Sequence, residues 1–345
     1  MKIAIRTDAS DRIASGHVMR CKTLADELRE HGADVRFVCR ENPGNLIPLL
    51  AAAGYRLSAL SPRAGVEQAG DADETLTALN GFEPDWLVVD HYELDEQWES
   101  RLRPHTGRIF VIDDLANRRH ACDALLDQNW FGEKTAGRYL HLVQDAECLL
   151  GPKYALLQPA FQRLRSRLSP RDGTVRRVLM FFGAVDSANQ TVTALQALHA
   201  PDLQDLAVDV VVGHANPNAA GIDSLAAARR GIVLHRQVPT LADLMATADL
   251  MLGAGGVTTF ERCCLGLPAI VVVAGENQRG GTTALADSGV HCLLGDASSV
   301  GVADWIRALW ELRRSPERVL AYSAASCGLT DGQGVRRVGA MLMGQ

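Results

Sequence analysis

Short runs of β-branched and apolar residues alternate with helical stretches along all 345 residues, and this alternation limits the fold more than any other feature. Strands joined through helices lie parallel, because a parallel crossover needs a dozen or more residues. The first half places strands at Lys2 to Arg6, Asp34 to Cys39, Tyr55 to Ala59, Trp86 to Asp90, Arg108 to Ile112 and Ala124 to Leu126. The second half places them at Arg177 to Phe182, Ala207 to Val212, Ile232 to Leu234, Leu250 to Leu252 and after Pro268. Between Gly151 and Asp172, Pro152, Pro159 and the arginines Arg163, Arg165 and Arg167 read as a linker with a solvated basic helix face. An α/β chain of two domains, 1–160 and 174–320, is expected, since the length is generous for one core.

The formal net charge is -6, with no basic run longer than pairs such as Arg118-Arg119. Nucleic-acid binding, which needs a concentrated positive face, is therefore not expected. The longest apolar run, near Leu267 to Ala274, is too short to span a bilayer, and the first strand begins at the second residue. A cytoplasmic protein with no membrane partner is expected. The eight cysteines show no C-x-x-C pair and no histidine at metal-ligand spacing, so they are expected to be reduced, with no metal and no cofactor.

The chemistry gathers where strands end. After the first strand, Ala14-Ser15-Gly16-His17-Val18-Met19-Arg20-Cys21 leads into a helix ending near Glu30, with Val18, Cys21, Leu24, Ala25 and Leu28 on one face. A helix start after a small-residue turn suits an anion, and Gly16 permits close approach to the backbone. The helix dipole disfavours a protonated imidazole there, so His17 is expected neutral, with a lone pair for general base chemistry. A histidine in a first helical turn is also commonly a surface or capping residue, and the pattern leaves both readings open. Asp90-His91-Tyr92 and Asp113-Asp114 close two further strands. Tyr92 is either a site residue or a packing ring, and the paired aspartates either serve a ligand or cap a following helix.

In the second half, Gly183 to Asn189 again joins a strand to a helix, but neither G-x-G-x-x-G nor a Walker pattern is present. The densest stretch is Gly253-Ala254-Gly255-Gly256-Val257-Thr258-Thr259-Phe260-Glu261, closed by Gly266 and Pro268. Its glycines can turn backbone N–H groups toward a phosphate, Thr258 or Thr259 can cap the helix or bind an oxygen, and Glu261 can hold ribose hydroxyls. A capping box between a threonine and Glu261 is the alternative. Gly275-Glu276-Asn277-Gln278 follows the next strand on the same edge.

These residues resemble a known family. The G-x-x-T-x-x-E-x-x-x-x-G-x-P segment is similar to the nucleotide-sugar site of GT-B enzymes. The opening Ile3 to Ser10, Gly16 to Cys21, Val89 to Tyr92, Val111 to Asp114, Asn277-Gln278 and the tail Asp331 to Gly334 with Arg337-Val338 resemble the PseG family, UDP-2,4-diacetamido-2,4,6-trideoxy-β-L-altropyranose hydrolases of pseudaminic acid biosynthesis. The resemblance implies two Rossmann-like domains facing each other across a cleft, with the helical segment 321–345 crossing back to the first. It implies a monomer that replaces UDP at the anomeric carbon with water, the configuration inverting. It assigns His17 to the water and Tyr92 and Asn277 to the sugar, with Gly16, Arg20, Gly183, Asn189, Gly256, Thr258, Thr259, Glu261 and Gln278 as substrate-binding residues. One departure stands out: the family's F-G-G-S-D-P loop is here Phe182-Gly183-Ala184-Val185-Asp186-Ser187. Two other readings are a GT-B glycosyltransferase using a UDP-sugar donor and a non-catalytic sugar-nucleotide binder. Transferases of membrane-bound acceptors tend to carry a basic and apolar patch on the first domain, which Arg12-Ile13 alone suggests here.

Overall fold

A computed structural model describes every residue except Arg12, Ala14, Val66, His214, Ala215, Gln237 and Val257. Ala14 and Val257, within the two loops singled out above, and Arg12 thus lie outside the described residues. The chain forms two units: unit 1 is Met1–Asn129, Glu133–Gln158 and Gln333–Gln345, and unit 2 is Trp130–Gly132 and Pro159–Gly332.

Unit 1 holds strands β1 (Lys2–Thr7), β2 (Asp34–Arg40), β3 (Arg56–Leu60), β4 (Trp86–Asp90), β5 (Arg108–Ile112), β6 (Ala124–Asp127) and β7 (Glu147–Leu150). Their order is β3-β2-β1-β4-β5-β6-β7, all parallel. Helices α1 (Gly16–Glu30), α2 (Ile47–Ala52), α3 (Gln68–Ala78) and α4 (Glu96–Leu102) connect the first strands. Successive residues of each strand serve opposite faces: Ile3 and Ile5 join one core and Ala4 the other, as do Val88 against Leu87 and Val89. A parallel sheet covered on both faces needs such unbroken apolar strands. Helix α1 buries the apolar face expected for it and ends at Gly32, whose φ of 84° is the left-handed turn that glycine accepts readily.

Unit 2 holds α5 (Pro159–Arg165), β8 (Arg177–Phe181), α6 (Gln190–Leu198), β9 (Ala207–Val212), α7 (Ala219–Ala227), β10 (Ile232–Arg236), α8 (Ala242–Thr247) and β11 (Leu250–Ala254). It continues through α9 (Thr258–Cys264), β12 (Ala269–Val273), α10 (Glu276–Asp287), β13 (Cys292–Asp296), α11 (Val302–Arg313) and α12 (Pro316–Leu329). The sheet runs β10-β9-β8-β11-β12-β13, again parallel. The last helix, α13 (Gly334–Met343), belongs to unit 1, where Val335, Val338 and Leu342 share a core with Val18, Cys21 and Leu24 of α1.

Three details differ from the sequence reading. Strands β7 and β13 were not expected, being short edge strands, and β13 carries Gly295 at φ 125° beside a register shift. Tyr55 precedes β3 and packs its ring against Phe37 instead. The basic stretch is not wholly a solvated face: Arg165 donates to the carbonyls of Cys264, Cys327 and Thr330, and Arg171 to those of Gly266, Ala248 and Met245. These cations lie where helices leave carbonyls unpaired.

Beneath the β1 end of unit 1 lies a buried charge network. Both oxygens of Asp71 accept from Arg6, Oδ2 also from Arg40 (2.7 Å) and Oδ1 from the Trp98 indole (3.0 Å). Burial alone would raise the Asp71 pKa, but Arg6 and Arg40 lower it. Asp71→Ala would leave two buried guanidiniums without this partner and is expected to cost about 3–5 kcal/mol. Urea unfolding of unit 1 measures it, and a loss below ~1 kcal/mol would contradict this account.

Candidate active site

In each sheet the strand order reverses beside the first strand of its unit, at β1/β4 and at β8/β11. Open parallel sheets bind ligands at the carboxyl ends of strands at such a switch. The residues singled out in the sequence sit at these two places.

In unit 1, β1 leads to His17 in the first turn of α1, and β4 ends at Asp90. Asp90 is fully buried, and its Oδ1 lies 2.6 Å from His17 Nδ1. Arg20, one turn further along α1, donates Nε and Nη2 to the same carboxylate at 2.6 Å each. Burial opposes ionisation of Asp90, but the Arg20 charge, the His17 ring and their hydrogen bonds hold its pKa far below the usual carboxylate range. An ionised Asp90 can only accept, so the His17 proton is on Nδ1 and Nε2 is the basic nitrogen. Nη1 of Arg20 donates to both oxygens of Asp114 (2.9 and 2.8 Å). Asp114 also accepts from the Tyr92 hydroxyl (3.2 Å) and from Asn129 Nδ2 (3.1 Å). The Tyr92 ring meets His17 edge-on, centroids 4.4 Å apart. His17, Arg20 and Tyr92 are thus brought together, with Gly16 beside them as the first residue of α1.

Arg20, implied as a substrate-binding residue, is paired within the protein. The residue is 4% exposed, and its guanidinium is held by two carboxylates, so it ties Asp90 to Asp114. The aspartate pair does not cap a helix. Asp113 Oδ2 accepts from the Ala116 N–H and the Tyr139 hydroxyl, while Arg118 pairs with Oδ1. Among the described residues no cluster of histidine, cysteine or carboxylate side chains is placed to hold a metal ion. Sequence reasoning set Asp90 beside His91 and Tyr92 without pairing it with His17. A signal existed: α1 and β4 both leave the switch point, and an aspartate closing the strand next to β1 can reach the first turn of the helix that follows β1.

In unit 2, Gly183 (φ 102°) follows β8, and Asn189 sits in the left-handed region just before α6. The first amides of α6 are not open: those of Gln190 and Thr191 donate to the Asp186 carboxylate. The N-terminus of α6 is therefore occupied by the chain's own aspartate. The second loop is tightly built. A Cβ on Gly255 would lie 1.9 Å from Thr282 Oγ1, so only glycine lets the β11 loop approach α10 this closely. Thr282 Oγ1 donates to the Gln278 carbonyl (2.7 Å), the Thr282 carbonyl accepts from His291 Nε2 (3.1 Å), and His291 Nδ1 accepts from Arg262 (2.7 Å). Burial and the Arg262 charge lower the His291 pKa to about 3, which keeps the ring neutral and able to play both parts. Gly256 lies close to Gln278, whose Nε2 would be 3.6 Å from a Cβ there, Thr258, Thr259 and Glu261 begin α9, and Asn277 is exposed in the first turn of α10. Among the described residues, Asn189 Oδ1, Thr259 Oγ1 and Gln278 Oε1 are buried without a hydrogen-bond partner. Buried polar atoms are rarely left so, and all three lie at the carboxyl edge of this sheet. Among the described residues no hydrogen bond of a threonine–Glu261 capping box is seen: the Thr259 N–H donates to the Gly256 carbonyl, and desolvation raises the Glu261 pKa to about 7.

The fold is GT-B, two Rossmann-like domains, and it is shared with solved structures along their whole length. The structure of Acinetobacter baumannii MurG matches with TM-score 0.70 at 11% identity, covering 100% of this chain and 99% of that one. That of Arabidopsis thaliana UGT89C1 complexed with UDP matches with TM-score 0.68 at 14% identity, covering 99% of each. In sequence, the chain resembles the PseG family. It is 24% identical over 293 residues to the Campylobacter jejuni UDP-2,4-diacetamido-2,4,6-trideoxy-beta-L-altropyranose hydrolase, across 84% of this chain and 97% of that protein. It is 24% identical over 294 residues to the uncharacterized protein MJ1062 of Methanocaldococcus jannaschii, across 81% of this chain. The Bacillus subtilis spore coat polysaccharide biosynthesis protein SpsG matches at 28% over 193 residues, 56% of this chain. The matches span 57% of the length of each of the latter two relatives. No protein-family model matches the chain. No helix among the described residues is long and apolar enough to cross a membrane.

Glu261 makes the second site pH-sensitive. Its folded pKa, about 7, lies above the ordinary 4.5, so it contributes stability that is complete below about pH 4.5 and lost as pH rises through 7. Glu261→Gln removes that loss. The melting temperature of the variant relative to the parent is expected to rise from pH 5 to pH 8, and an unchanged difference by calorimetry would contradict it.

Proposed function

We propose that the protein is a UDP-sugar hydrolase that releases UDP and the free 2,4-diacetamido-2,4,6-trideoxy-L-altrose, with inversion, in pseudaminic acid biosynthesis. The observation that carries the reading is the 2.6 Å contact between His17 Nδ1 and the buried Asp90 carboxylate. It fixes the tautomer in which Nε2 can take a proton, and it would stabilise the imidazolium that forms, as the aspartate of a catalytic triad does.

In this mechanism the oxygen of a water molecule attacks the anomeric carbon while His17 Nε2 takes its proton. The bond from that carbon to the UDP oxygen breaks, and its electron pair leaves on the diphosphate. UDP is a good leaving group, so the remaining demand is stabilisation of its developing charge by N–H groups, which the loop at Gly255-Gly256 is assigned to supply. The unpaired Asn189, Thr259 and Gln278 oxygens are the atoms we assign to donors of the nucleotide, and Glu261 to its ribose hydroxyls. Tyr92 and Asn277 are assigned to the sugar. Gly183 remains a backbone contact, but with the α6 amides taken by Asp186 the weight of phosphate binding shifts to the β11 loop. The Campylobacter relative, named for this reaction, supports the reading across 84% of the chain. Cytoplasmic location and a monomeric state are part of the same proposal.

The alternative is transfer of the sugar to an acceptor from the same UDP-sugar donor, which the GT-B neighbours favour. Incubation with UDP-2,4-diacetamido-2,4,6-trideoxy-β-L-altrose alone, followed by NMR, separates the two. Stoichiometric UDP and free sugar without acceptor is the expected result, and intact substrate beside measurable UDP binding favours transfer. His17→Ala is expected to lower kcat by about 10²–10⁴ with KM little changed. Asp90→Asn, which turns an amide toward Nδ1 and favours the wrong tautomer, is expected to cost at least ~10², with up to ~10⁴ precedented in triads. Full activity in either variant would end the proposed mechanism.

A further inference from the structure

Among the described residues five arginines are buried: Arg6, Arg20, Arg40, Arg229 and Arg262. Arg6 and Arg40 meet Asp71, and Arg20 meets Asp90 and Asp114. Arg229 instead donates to the carbonyls of Leu198, Leu203, Gln204 and Leu206. Arg262 has neither kind of partner among the described residues. It is 1% exposed, its Nη2 donates to His291 Nδ1 (2.7 Å), and its Nη1 is buried without a hydrogen-bond partner.

The groups around Arg262 bring no compensating charge. Its one hydrogen-bond acceptor, His291, is held neutral by burial and by the arginine itself. Burial pushes the Cys263 thiol up, so that group stays protonated. Glu261 is next in sequence, but neighbours along a helix do not face each other, and burial is the cause of its raised pKa. A guanidinium cannot shed its proton to escape such a setting, and an unpaired ion is among the costliest groups a fold can bury.

The position of this charge gives it a use. Helix α9 begins at Thr258, directly behind the Gly255-Gly256 loop, and Arg262 follows one turn later. Thr259, three residues before it on the same face, is 3% exposed and also has its Oγ1 unpartnered. On the other side, His291 Nε2 donates to the Thr282 carbonyl (3.1 Å), and Thr282 Oγ1 is the atom that a Cβ on Gly255 would strike. The cation is thus fixed to α9 directly and to α10 through His291, with the loop between them. Charge at this depth is little screened, so it raises the potential along the loop.

We infer that Arg262 is a positioning residue of the second site, a fixed buried cation whose counter-ion is the ligand's diphosphate rather than a side chain of the protein; this rests on the UDP site proposed above for the loop. Arg262 acts by its field and by its hold on His291. The charge it balances is the one that grows on UDP as the bond to the sugar breaks.

The test is calorimetric titration of the full chain with UDP and UMP, and NMR titration with uridine, in the parent, Arg262→Gln and Arg262→Lys. Glutamine keeps an N–H for His291 Nδ1 and drops the charge, whereas lysine keeps the charge. In Arg262→Gln, UDP is expected to bind at least about tenfold more weakly and UMP about threefold, with uridine within about twofold of the parent. In Arg262→Lys, UDP binding is expected within about threefold of the parent. An equal loss for all three ligands would mark a purely structural arginine and overturn the assignment, as would unchanged UDP binding in Arg262→Gln. Should that variant not fold, the same series is read in Arg262→Met. Inorganic pyrophosphate alone is expected to raise the melting temperature of the parent, and no rise overturns the assignment. A parent that binds no UDP refutes the UDP-sugar reading itself. The expected series in a protein that releases no UDP from the sugar nucleotide upholds Arg262 and refutes the hydrolase alone.

Discussion

A single buried carboxylate organises the first site. Asp90 has no exposure to water, and an ion so placed persists only if its charge is balanced and its lone pairs are used. Arg20 supplies the balance and two hydrogen bonds, and His17 supplies a third. Arg20 must itself be buried to do this, which calls for the second carboxylate, Asp114, and Asp114 in turn holds the Tyr92 hydroxyl and Asn129. Each partner of the imidazole is thus fixed by a group that needs fixing itself. The residue spacing follows from the helix: His17 and Arg20, three apart, share one face of α1, and that face looks toward the end of β4.

The second site depends on close backbone approach. Gly255 lets the loop after β11 press against Thr282, and the neutral His291, held by Arg262 on one side, steadies the carbonyl of Thr282 on the other. Here too a buried cation sits behind the site rather than in it. In both units a buried arginine, Arg20 or Arg262, is engaged by the protein's own side chains.

Much of this was legible in the sequence because strand and helix periodicities are local. Strands β4, β5 and β9 have the expected bounds, and the apolar face of α1 was read residue by residue. Strands β7 and β13 escaped because four or five residues at a sheet edge, one run broken by Gly295, carry little pattern of their own. Residue types at strand ends singled out His17, Tyr92 and the Gly255-Gly256 loop, and the fold brings the first two into contact. What the one-dimensional pattern lacked was pairing: that Asp90 faces His17 across 73 positions, that Asp186 occupies the start of α6, and that Arg165 serves the carbonyls of Cys264, Cys327 and Thr330. Such contacts are decided by which strands become neighbours.

The return of the last helix to unit 1 bears on how the chain is made. Val335, Val338 and Leu342 of α13 complete the core that α1 begins, yet some 175 residues separate Gln158 from Gln333. At ribosomal rates of roughly 5–20 residues per second, the apolar face of α1 waits on the order of tens of seconds for its cover. During that interval unit 2 can already close while unit 1 is still open. The first half of the gene product is thus the last to finish, and its exposed seam is the place where a chaperone would have most to do.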